Sequence, residues 1–339
     1  MSLVDESIRE SAKILLKDAG FNLGIKAIEP IHQGGNNQLY RVTNGSENFI
    51  LKKYFQHSED KRNRLATEFS FLEYAYKATP EFVPKPFSKN DADFTALYEF
   101  IEGIKIKSEQ DVRNHHITAC GEFIAGINDP SKHNGLSLMN ASEACFSIID
   151  HLNTIDERIN ELTINTSQDD QLKLVLNQIQ DHWLNIKEKV LKESNALQIS
   201  IEAILPQEKR IISPSDFGFH NAIIQKNGLI KFIDFEYAGW DDPAKLVGDF
   251  FGQVAIPASA KFVDDFIASC FKHPSFTEFD ANRMYLLIDS YKIKWCYIVL
   301  NIFLNKNLSR RLFSNPSLDV NALKLSQLNK ATKILESLV

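Results

Sequence analysis

The run from Ile212 to Glu236 constrains the fold more than any other part of the chain. Within it, Asn227-Gly228 separates two mainly apolar segments, Ala222–Lys226 and Leu229–Ile233. An Asn-Gly pair between such segments is the strongest short-range signal for a β-hairpin, because a two-residue type I′ turn requires positive φ at both positions. The sequence therefore predicts a hairpin closed by a two-residue turn.

The predicted hairpin brings two oxygen-bearing side chains together. Its register places Asn221 opposite Asp234, and directly opposed residues share a face, with Cβ atoms about 5 Å apart. An amide oxygen beside a carboxylate suits Mg²⁺, which completes its coordination with water and substrate phosphates. Asp216 stands in a predicted loop five residues before Asn221, where it can accept a proton. An ordinary hairpin with polar ends is the alternative interpretation.

An Asp, an Asn five residues later and a second Asp after a short hairpin form the arrangement found in kinases. On these residues the segment resembles the aminoglycoside phosphotransferase and choline kinase superfamily, and the run 233–237 (Ile-Asp-Phe-Glu-Tyr) is most similar to the choline and ethanolamine kinase branch. The resemblance implies that Asp216 is catalytic and that Asn221 and Asp234 hold Mg²⁺. The chain departs from the family at Pro214-Ser215, where a His-Gly or His-Asn pair usually stands and its histidine braces the loop.

A glycine pair upstream, Gly34-Gly35, lies between two predicted strands and is followed by Asn37 and a Tyr-Arg-Val run. Such a pair lets the backbone approach a phosphate closely, and its N–H groups can hold the anion. Taken alone, the segment is a hairpin turn. It resembles the phosphate-binding loop of the same superfamily, which implies that Gly34, Gly35 and Asn37 contact ATP.

The predicted strand Phe49–Tyr54 carries two adjacent lysines. The superfamily's phosphate-binding lysine follows two aliphatic residues, so the resemblance selects Lys52, with Lys53 as the fallback. An edge strand with protective lysines is the alternative. Glu68, in a predicted helix, can hold such a lysine toward the nucleotide phosphates, although a solvated glutamate is the commoner role.

The resemblance also implies where adenine binds and how the chain is divided. Adenine is expected to bond the Glu99 carbonyl and the Ile101 N–H at the end of a predicted strand. We predict an α+β, bilobal protein-kinase-like fold: a small β-sheet lobe at 1–102 that binds the nucleotide and a mainly helical lobe at 103–339 that binds the acceptor. Two heptad-like apolar stripes predict a helical insertion at about 141–195.

Acids and aromatic residues alternate after the predicted hairpin: Glu236, Tyr237, Trp240 and Asp241. Carboxylates beside aromatic faces suit an ammonium group, through charge pairing and a cation–π attraction of roughly 0.5–2 kcal/mol per ring. These four residues are therefore predicted to contact an amine-bearing or sugar-like alcohol. The alternative is a structural role, as expected for Asp242-Pro243, which has the pattern of a helix N-cap followed by proline at the first helical position.

Composition narrows the class of partner and the compartment. The net charge of −6 and pI of about 5.9 argue against nucleic-acid binding. Four scattered cysteines without a C-x-x-C pair fit a reducing cytoplasm rather than a disulfide or metal framework. The N-terminus shows no signal-peptide pattern, and the longest apolar run, Trp295–Leu304, is about half a membrane span. No membrane partner is therefore expected.

Together these features predict an enzyme that moves the γ-phosphoryl group of ATP, with Mg²⁺, to a hydroxyl of a small molecule such as an amino alcohol, sugar or aminoglycoside. A pseudokinase that binds nucleotide without turnover is the alternative, favoured by Pro214-Ser215. A protein kinase is a further alternative, against which stand the long insertion and the lack of G-x-G-x-x-G and A-P-E motifs. The run 216–218 (Asp-Phe-Gly) matches the protein-kinase metal motif, but it occupies the catalytic-loop position.

Overall fold

The computed structural model describes residues 5–22, 24–31, 36–45, 47–57, 62–133, 136–165, 169–336 and 338. The glycines predicted to bind phosphate, Gly34 and Gly35, lie outside the described residues. The contacts divide the described chain into two compact units. Unit 1 lies within Met1–Ile104, Ile223–Glu236 and Leu308–Leu318, and unit 2 lies within Lys105–Ala222, Tyr237–Asn307 and Asp319–Val339.

The elements are numbered in chain order. The strands are β1 (Ile25–Ile31), β2 (Gln38–Asn44), β3 (Glu47–Lys53), β4 (Pro86–Asn90), β5 (Thr95–Glu99), β6 (Ile104–Lys105), β7 (Ile211–Ser213), β8 (Ala222–Ile224), β9 (Ile230–Phe232) and β10 (Gly239–Asp241). The α-helices are α1 (Glu6–Asp18), α2 (Arg64–Ala78), α3 (Asn114–Ile127), α4 (Ile148–Asn165), α5 (Asp170–Ala196), α6 (Pro243–Gly252), α7 (Val263–Cys270), α8 (Glu278–Leu300), α9 (Asn305–Ser314) and α10 (Val320–Glu336).

Unit 1 contains an antiparallel sheet with the described strand order β1-β2-β3-β5-β4. Helix α1 begins after Asp5, whose side chain accepts a hydrogen bond from the Ser7 N–H, and its apolar face packs against the sheet. That face repeats at helical spacing through Ile8, Ala12 and Leu15, all of which are buried. The sheet thereby has a hydrophobic core on the α1 side.

The predicted hairpin is present as β8 and β9, but its turn differs from the prediction. The N–H of Gly228 donates to Gln225 O at 2.9 Å, and the N–H of Gln225 donates to Leu229 O at 2.8 Å. Only Gly228 has positive φ (+83°); Asn227 does not. The loop is therefore a three-residue turn with a glycine bulge, and the predicted register is wrong by one residue.

Unit 2 is mainly helical in its described part. Helix α8 packs against α6, α5, α4 and α10, and α3 packs against α7. Helices α4 and α5 fall where the sequence predicted a helical hairpin, and Trp183 of α5 donates to Asp156 of α4 at 2.7 Å. A short antiparallel pair, β7 with β10, sets Ile211 opposite Asp241 and Ser213 opposite Gly239. None of the helices in the described ranges is both long enough and apolar enough to cross a membrane.

Candidate active site

The centre of unit 1 is Lys52, which β3 carries to the face of the sheet that α2 covers. Its Nζ lies 2.6 Å from Glu68 Oε2 and 2.6 Å from Asp234 Oδ1. The predicted contact between Lys52 and Glu68 is therefore confirmed. Burial alone would lower the pKa of Lys52, but the Asp234 and Glu68 carboxylates outweigh it and raise the pKa well above the usual range. The lysine is thus a fixed positive charge.

Glu68 is oriented by more than the lysine. The hydroxyl of Tyr54 donates to its Oε2 at 2.8 Å, and the N–H of Phe235 donates to its Oε1 at 3.3 Å. The Tyr54 hydroxyl also lies 2.7 Å from that of Tyr98. Lys52 and Tyr54 both contact Glu68, because residues two positions apart in a strand point to the same face of the sheet. Both carboxylate oxygens are satisfied, so the ion pair has one geometry.

Asp234 follows β9 in an unusual backbone conformation. Its φ is +69°, in the left-handed region that Asp tolerates better than most residues. About 35% of its side chain is exposed, while Oδ1 is held by Lys52. The carboxylate is therefore oriented by the lysine and open to solvent. These properties fit a carboxylate that binds Mg²⁺ together with substrate phosphates.

A second network in unit 1 joins Asn37 to Glu236. The Glu236 carboxylate accepts from Asn36 Nδ2 at 3.1 Å, from Asn37 Nδ2 at 2.8 Å and from Arg64 Nη1 at 2.8 Å. Asn37 in turn accepts from the Phe55 N–H at 3.1 Å. Glu236 thus fixes the residues that follow the glycine pair.

Helix α9 was not predicted, and it contributes to this network. The Ser314 hydroxyl donates to Asn37 O at 3.2 Å, and Gln38 Nε2 donates to Phe313 O at 3.0 Å. The ring of Phe313 packs on Phe55, with centroids 5.3 Å apart. A segment more than 250 residues away in sequence therefore supports the strand after the glycine pair, and the local pattern gives no signal for that pairing.

The residues predicted at the adenine site lie at the end of β5. The Glu99 N–H donates to Lys85 O at 2.9 Å, and its carboxylate accepts from Lys231 Nζ at 3.2 Å. Ile101 is buried. A Cβ at Gly103 would lie 2.3 Å from Ile224 O, so only glycine fits there. The structure orders this segment tightly, and adenine binding by Glu99 and Ile101 stays a prediction.

The predicted catalytic loop belongs to unit 2 and runs from β7 to a short 3₁₀ turn at Phe219–Asn221. Phe217 and Phe219 are buried and anchor the loop. Asp216 lies between β7 and these anchors, with about 31% of its side chain exposed. Asn221 Nδ2 donates to the Asp216 backbone oxygen at 3.0 Å. The loop therefore leaves the Asp216 carboxylate partly open to solvent, and the roles of Asp216 in catalysis and of Asn221 in metal binding stay predictions.

His220 is a site residue that the sequence reasoning missed. Its Nε2 lies 3.0 Å from Asp216 Oδ1. A Cβ at Gly218 would lie 3.1 Å from His220 Nδ1, so glycine leaves room for the ring. The sequence signal for this contact was a histidine four residues after the predicted catalytic Asp. The glycine of the Asp-Phe-Gly run leaves space for the histidine ring.

The carboxylates predicted to bind a cationic acceptor are wrongly assigned. Glu236 and Asp241 are both fully buried. Glu236 is paired with Arg64 at 2.8 Å and Asp241 with Lys245 at 2.7 Å. A buried carboxylate needs such a partner, since an unpaired charge is very costly to desolvate. Neither has charge left for a substrate.

The aromatic residues of the same prediction are placed differently. Tyr237 and Trp240 are half-buried. The backbone N–H of Trp240 donates to the backbone oxygen of Met139 at 2.9 Å. The Trp240 ring lies edge-on to the His133 ring, with centroids 5.5 Å apart. Met139 is strongly exposed, at 79%. Aromatic and thioether surface is therefore open in unit 2, and contact with an acceptor stays a prediction.

The side chains of the described residues bear on how a metal ion could be held. Across the described ranges, no group of three or more His, Cys, Asp or Glu side chains could hold an ion by itself. Mg²⁺ bound through one or two protein oxygens and substrate phosphates needs no such cluster. The Asp234 carboxylate and the Asn221 amide oxygen are each hard donors of the type that Mg²⁺ prefers, and their binding of one ion stays a prediction.

Comparisons with known proteins give a consistent result. The model of the family described as "Phosphotransferase enzyme family" matches residues 27–274, well over half of the chain. No curated protein matches the sequence significantly. Among solved structures, a choline/ethanolamine kinase family protein from Mesorhizobium loti has a TM-score of 0.59 at 16% identity, covering 98% of this chain and 94% of that one.

Two further structures show the same similarity. A choline kinase from Cryptosporidium parvum Iowa II has a TM-score of 0.60 at 13% identity, covering 99% of this chain and 96% of that one. A spectinomycin phosphotransferase in complex with ADP and spectinomycin has a TM-score of 0.60 at 13% identity, covering 98% and 99%. The predicted kinase-like fold, with a small antiparallel sheet in the N-terminal part and a helical C-terminal part, is confirmed.

Proposed function

The chain belongs to the phosphotransferase enzyme family, and from this premise we propose that it transfers the γ-phosphoryl group of ATP to a hydroxyl of a small molecule. The observation that carries the proposal is Lys52, held 2.6 Å from both Glu68 and Asp234. A buried lysine fixed between an ordering glutamate and a partly exposed aspartate is what phosphate binding beside a metal requires.

In this proposal unit 1 binds the nucleotide. Lys52 neutralises phosphate oxygens, and Glu68 keeps its ammonium group in place. The phosphates are bordered by Gly34, Gly35 and Asn37, and adenine is bonded by backbone groups of Glu99 and Ile101. These roles are the ones that the resemblance to the aminoglycoside phosphotransferase and choline kinase superfamily implies. A spectinomycin phosphotransferase of similar structure was crystallised with ADP, which supports nucleotide binding here. Residues 1–102 are accordingly proposed as the nucleotide-binding part.

Asp216 is the proposed catalytic residue. Asp216 accepts the proton of the acceptor hydroxyl while the oxygen of that hydroxyl bonds to the γ-phosphorus. The bond between the γ-phosphorus and the oxygen that bridges it to the β-phosphate breaks, and ADP leaves with that oxygen. Asn221 and Asp234 would hold Mg²⁺, which neutralises charge on the phosphates when bound. His220, 3.0 Å from Asp216 Oδ1, limits the rotation of that carboxylate. Because phosphoryl transfer depends mainly on position and charge, these groups are sufficient.

The acceptor is proposed to be a small alcohol, such as an amino alcohol, a sugar or an aminoglycoside-like molecule. Similar structures include a choline kinase and a spectinomycin phosphotransferase. The half-buried rings of Tyr237 and Trp240 offer apolar faces that suit sugar rings or methylammonium groups. Residues 103–339 are accordingly proposed as the acceptor-binding part.

All four cysteines are buried free thiols, which supports the reducing cytoplasm as the compartment.

The test is an ADP-release screen with ATP and Mg²⁺ over amino alcohols, sugars, nucleosides and aminoglycosides. We expect one class to stimulate ADP formation in the wild type and not in Asp216→Asn, with nucleotide binding measured in parallel by calorimetry. The matched control is Asp150→Asn, which changes a carboxylate elsewhere in unit 2. Nucleotide binding without ADP formation over the whole panel would instead identify a pseudokinase and contradict the proposal.

A further inference from the structure

The catalytic loop lacks the His-Gly or His-Asn pair of its relatives, and the structure contains another support in the same place. Ser215, directly before Asp216, is fixed at three atoms. Its N–H donates to Ser213 Oγ at 3.0 Å, its carbonyl accepts from the Phe217 N–H at 2.9 Å, and its Oγ accepts from Lys245 Nζ at 3.0 Å. Ser215 is therefore held from both its backbone and its side chain.

Lys245 is placed for this contact by secondary structure. Strand β10 pairs with β7, and α6 begins two residues later with Asp242 as its N-cap. Lys245 lies in the first turn of α6, where its side chain is 1% exposed. Its Nζ is 2.7 Å from Asp241 and 3.5 Å from Asp249, each four residues away. The three N–H groups of the ammonium thus have three oxygen partners, Ser215 included.

The backbone of Ser215 shows that the contact has a cost. Its φ is +66°, in the left-handed region where a residue with a Cβ is disfavoured relative to glycine by roughly 1 kcal/mol. Glycine would satisfy the backbone there but would supply no hydroxyl. Strained residues of this kind cluster at functional sites. The backbone conformation alone would favour glycine at position 215, so the presence of serine requires another reason, which its hydroxyl supplies.

We propose that Lys245, anchored by Asp241 and Asp249, positions the catalytic loop through Ser215 and so replaces the histidine brace missing at 214–215. This inference rests on the proposed phosphotransferase function. Lys245 and Ser215 are positioning residues: they hold the backbone that carries Asp216 and touch no reacting atom. The acids of the 241–249 segment act on the loop, rather than on the acceptor.

The test uses two substitutions of Ser215 that differ in their effect on backbone strain. Ser215→Ala removes the hydroxyl and keeps the strain, and Ser215→Gly removes both. Hydrogen bonds to charged groups are strong enough for the loss of one to change a rate roughly tenfold. We expect both variants to lower kcat roughly tenfold with KM for ATP unchanged, and Ser215→Gly to be at least as stable as Ser215→Ala.

The control is Ser290→Ala in α8. Ser290 is also buried, and its hydroxyl has no hydrogen-bond partner among the described residues. Lys245→Met is a harsher variant, because it leaves Asp241 buried without a cation and can prevent folding. The Ser215 variants avoid that problem, since they leave the Lys245 ion pairs intact.

Hydrogen–deuterium exchange at 213–221 supplies a readout that does not need turnover. We expect faster exchange in Ser215→Ala and wild-type rates in Ser290→Ala. Unchanged exchange in Ser215→Ala overturns the inference, and so does a wild-type kcat in Ser215→Gly or an equal kcat loss in Ser290→Ala. If the wild type forms no ADP with any acceptor, the proposed function fails, and the exchange result alone decides whether Lys245 braces the loop.

Discussion

His151 of α4 is the centre of a buried charge network in unit 2. It is 1% exposed, with Nε2 3.1 Å from Asp242 Oδ2 and Nδ1 2.6 Å from the Tyr291 hydroxyl. Arg283 Nη1 also donates to Asp242, at 2.6 Å. Burial alone would lower the pKa of His151, but Cys145 and the hydrogen bond to Asp242 raise it to about 9. We therefore expect this histidine to be charged in the folded protein near neutral pH.

The predicted effect on stability follows from that pKa. The pKa rises from 6.5 to about 9, and at about 1.4 kcal/mol for each pH unit this gives roughly 3–4 kcal/mol. Because the folded pKa is the higher one, the folded chain binds more protons than the unfolded chain between these values. The contribution is complete below pH 6.5 and is lost as the pH rises through 9.

The perturbation is His151→Gln, which removes the titrating group and keeps an N–H donor for Asp242. Urea unfolding at about pH 6 and about pH 9.5 is measured by tryptophan fluorescence, which reports unit 2 because all three tryptophans lie within it. We expect the wild type to lose about 3 kcal/mol of unfolding free energy over this range and the variant to lose much less. His273→Gln, at an exposed histidine of the same unit, is the control.

The reasoning is refuted if the wild type and His151→Gln lose the same unfolding free energy between the two pH values. It is also refuted if the wild type becomes more stable at the higher pH, since the sign would then be reversed. A change confined to the urea dependence, with equal midpoints, would point to the denatured state and not to His151.

Three further predictions concern the active site directly. Asp216→Asn should lower kcat by about 10²–10⁴ while calorimetry still detects ATP binding; full activity would show that the residue is misassigned. Lys52→Met should lower kcat/KM for ATP by about 10²–10³, whereas Lys53→Met should change it little; the reverse order would move the phosphate contact to Lys53. Glu236→Gln should raise KM for ATP and lower the thermal midpoint, because it removes one charge of the buried ion pair with Arg64, and breaking a buried pair costs about 3–5 kcal/mol; an unchanged midpoint would show that the network is not stabilising.

Local signals in the sequence predicted the elements well. Asp242 caps α6 through its side chain, as its position before Pro243 and a helical pattern suggests. The contact between Lys52 and Glu68 was also predicted, because strand alternation and a family pattern select one lysine of two. In each case the deciding information lies within a few residues or in a recognisable motif.

The turn at 225–229 shows where local information ends. An Asn-Gly pair is compatible with a type I′ turn at both residues or with glycine alone at positive φ as a bulge. The choice between the two turns depends on which strand register buries the more apolar face of the hairpin. Both faces of the two segments carry apolar residues, so the sequence does not decide the register. The chain adopts the bulge at Gly228, so the predicted facing of Asn221 and Asp234 lost its geometric basis.

The contacts of α9 could not be predicted for a different reason. Asn37 and Ser314 meet across 277 positions of sequence, and neither segment has a pattern that names its partner. The same holds for Arg64 and Glu236, whose separation is 172 positions. Contacts between residues this far apart in the sequence become apparent only once the fold has brought the elements together.

The acidic segment after the hairpin contained a signal that indicated its real role. Lys245 stands four residues after Asp241, which ends β10, and four residues before Asp249 of α6. At the second of these spacings opposite charges meet on one helical face. With Arg283 on Asp242 and Lys294 on Asp249, the cluster carries its own cations. Removing such charges from water is costly, and buried pairs are better explained by the geometry they impose than by the stability they add. An ammonium-bearing acceptor would find little net charge there, so we expect acceptor preference to come from half-buried rings such as Trp240 and not from these acids.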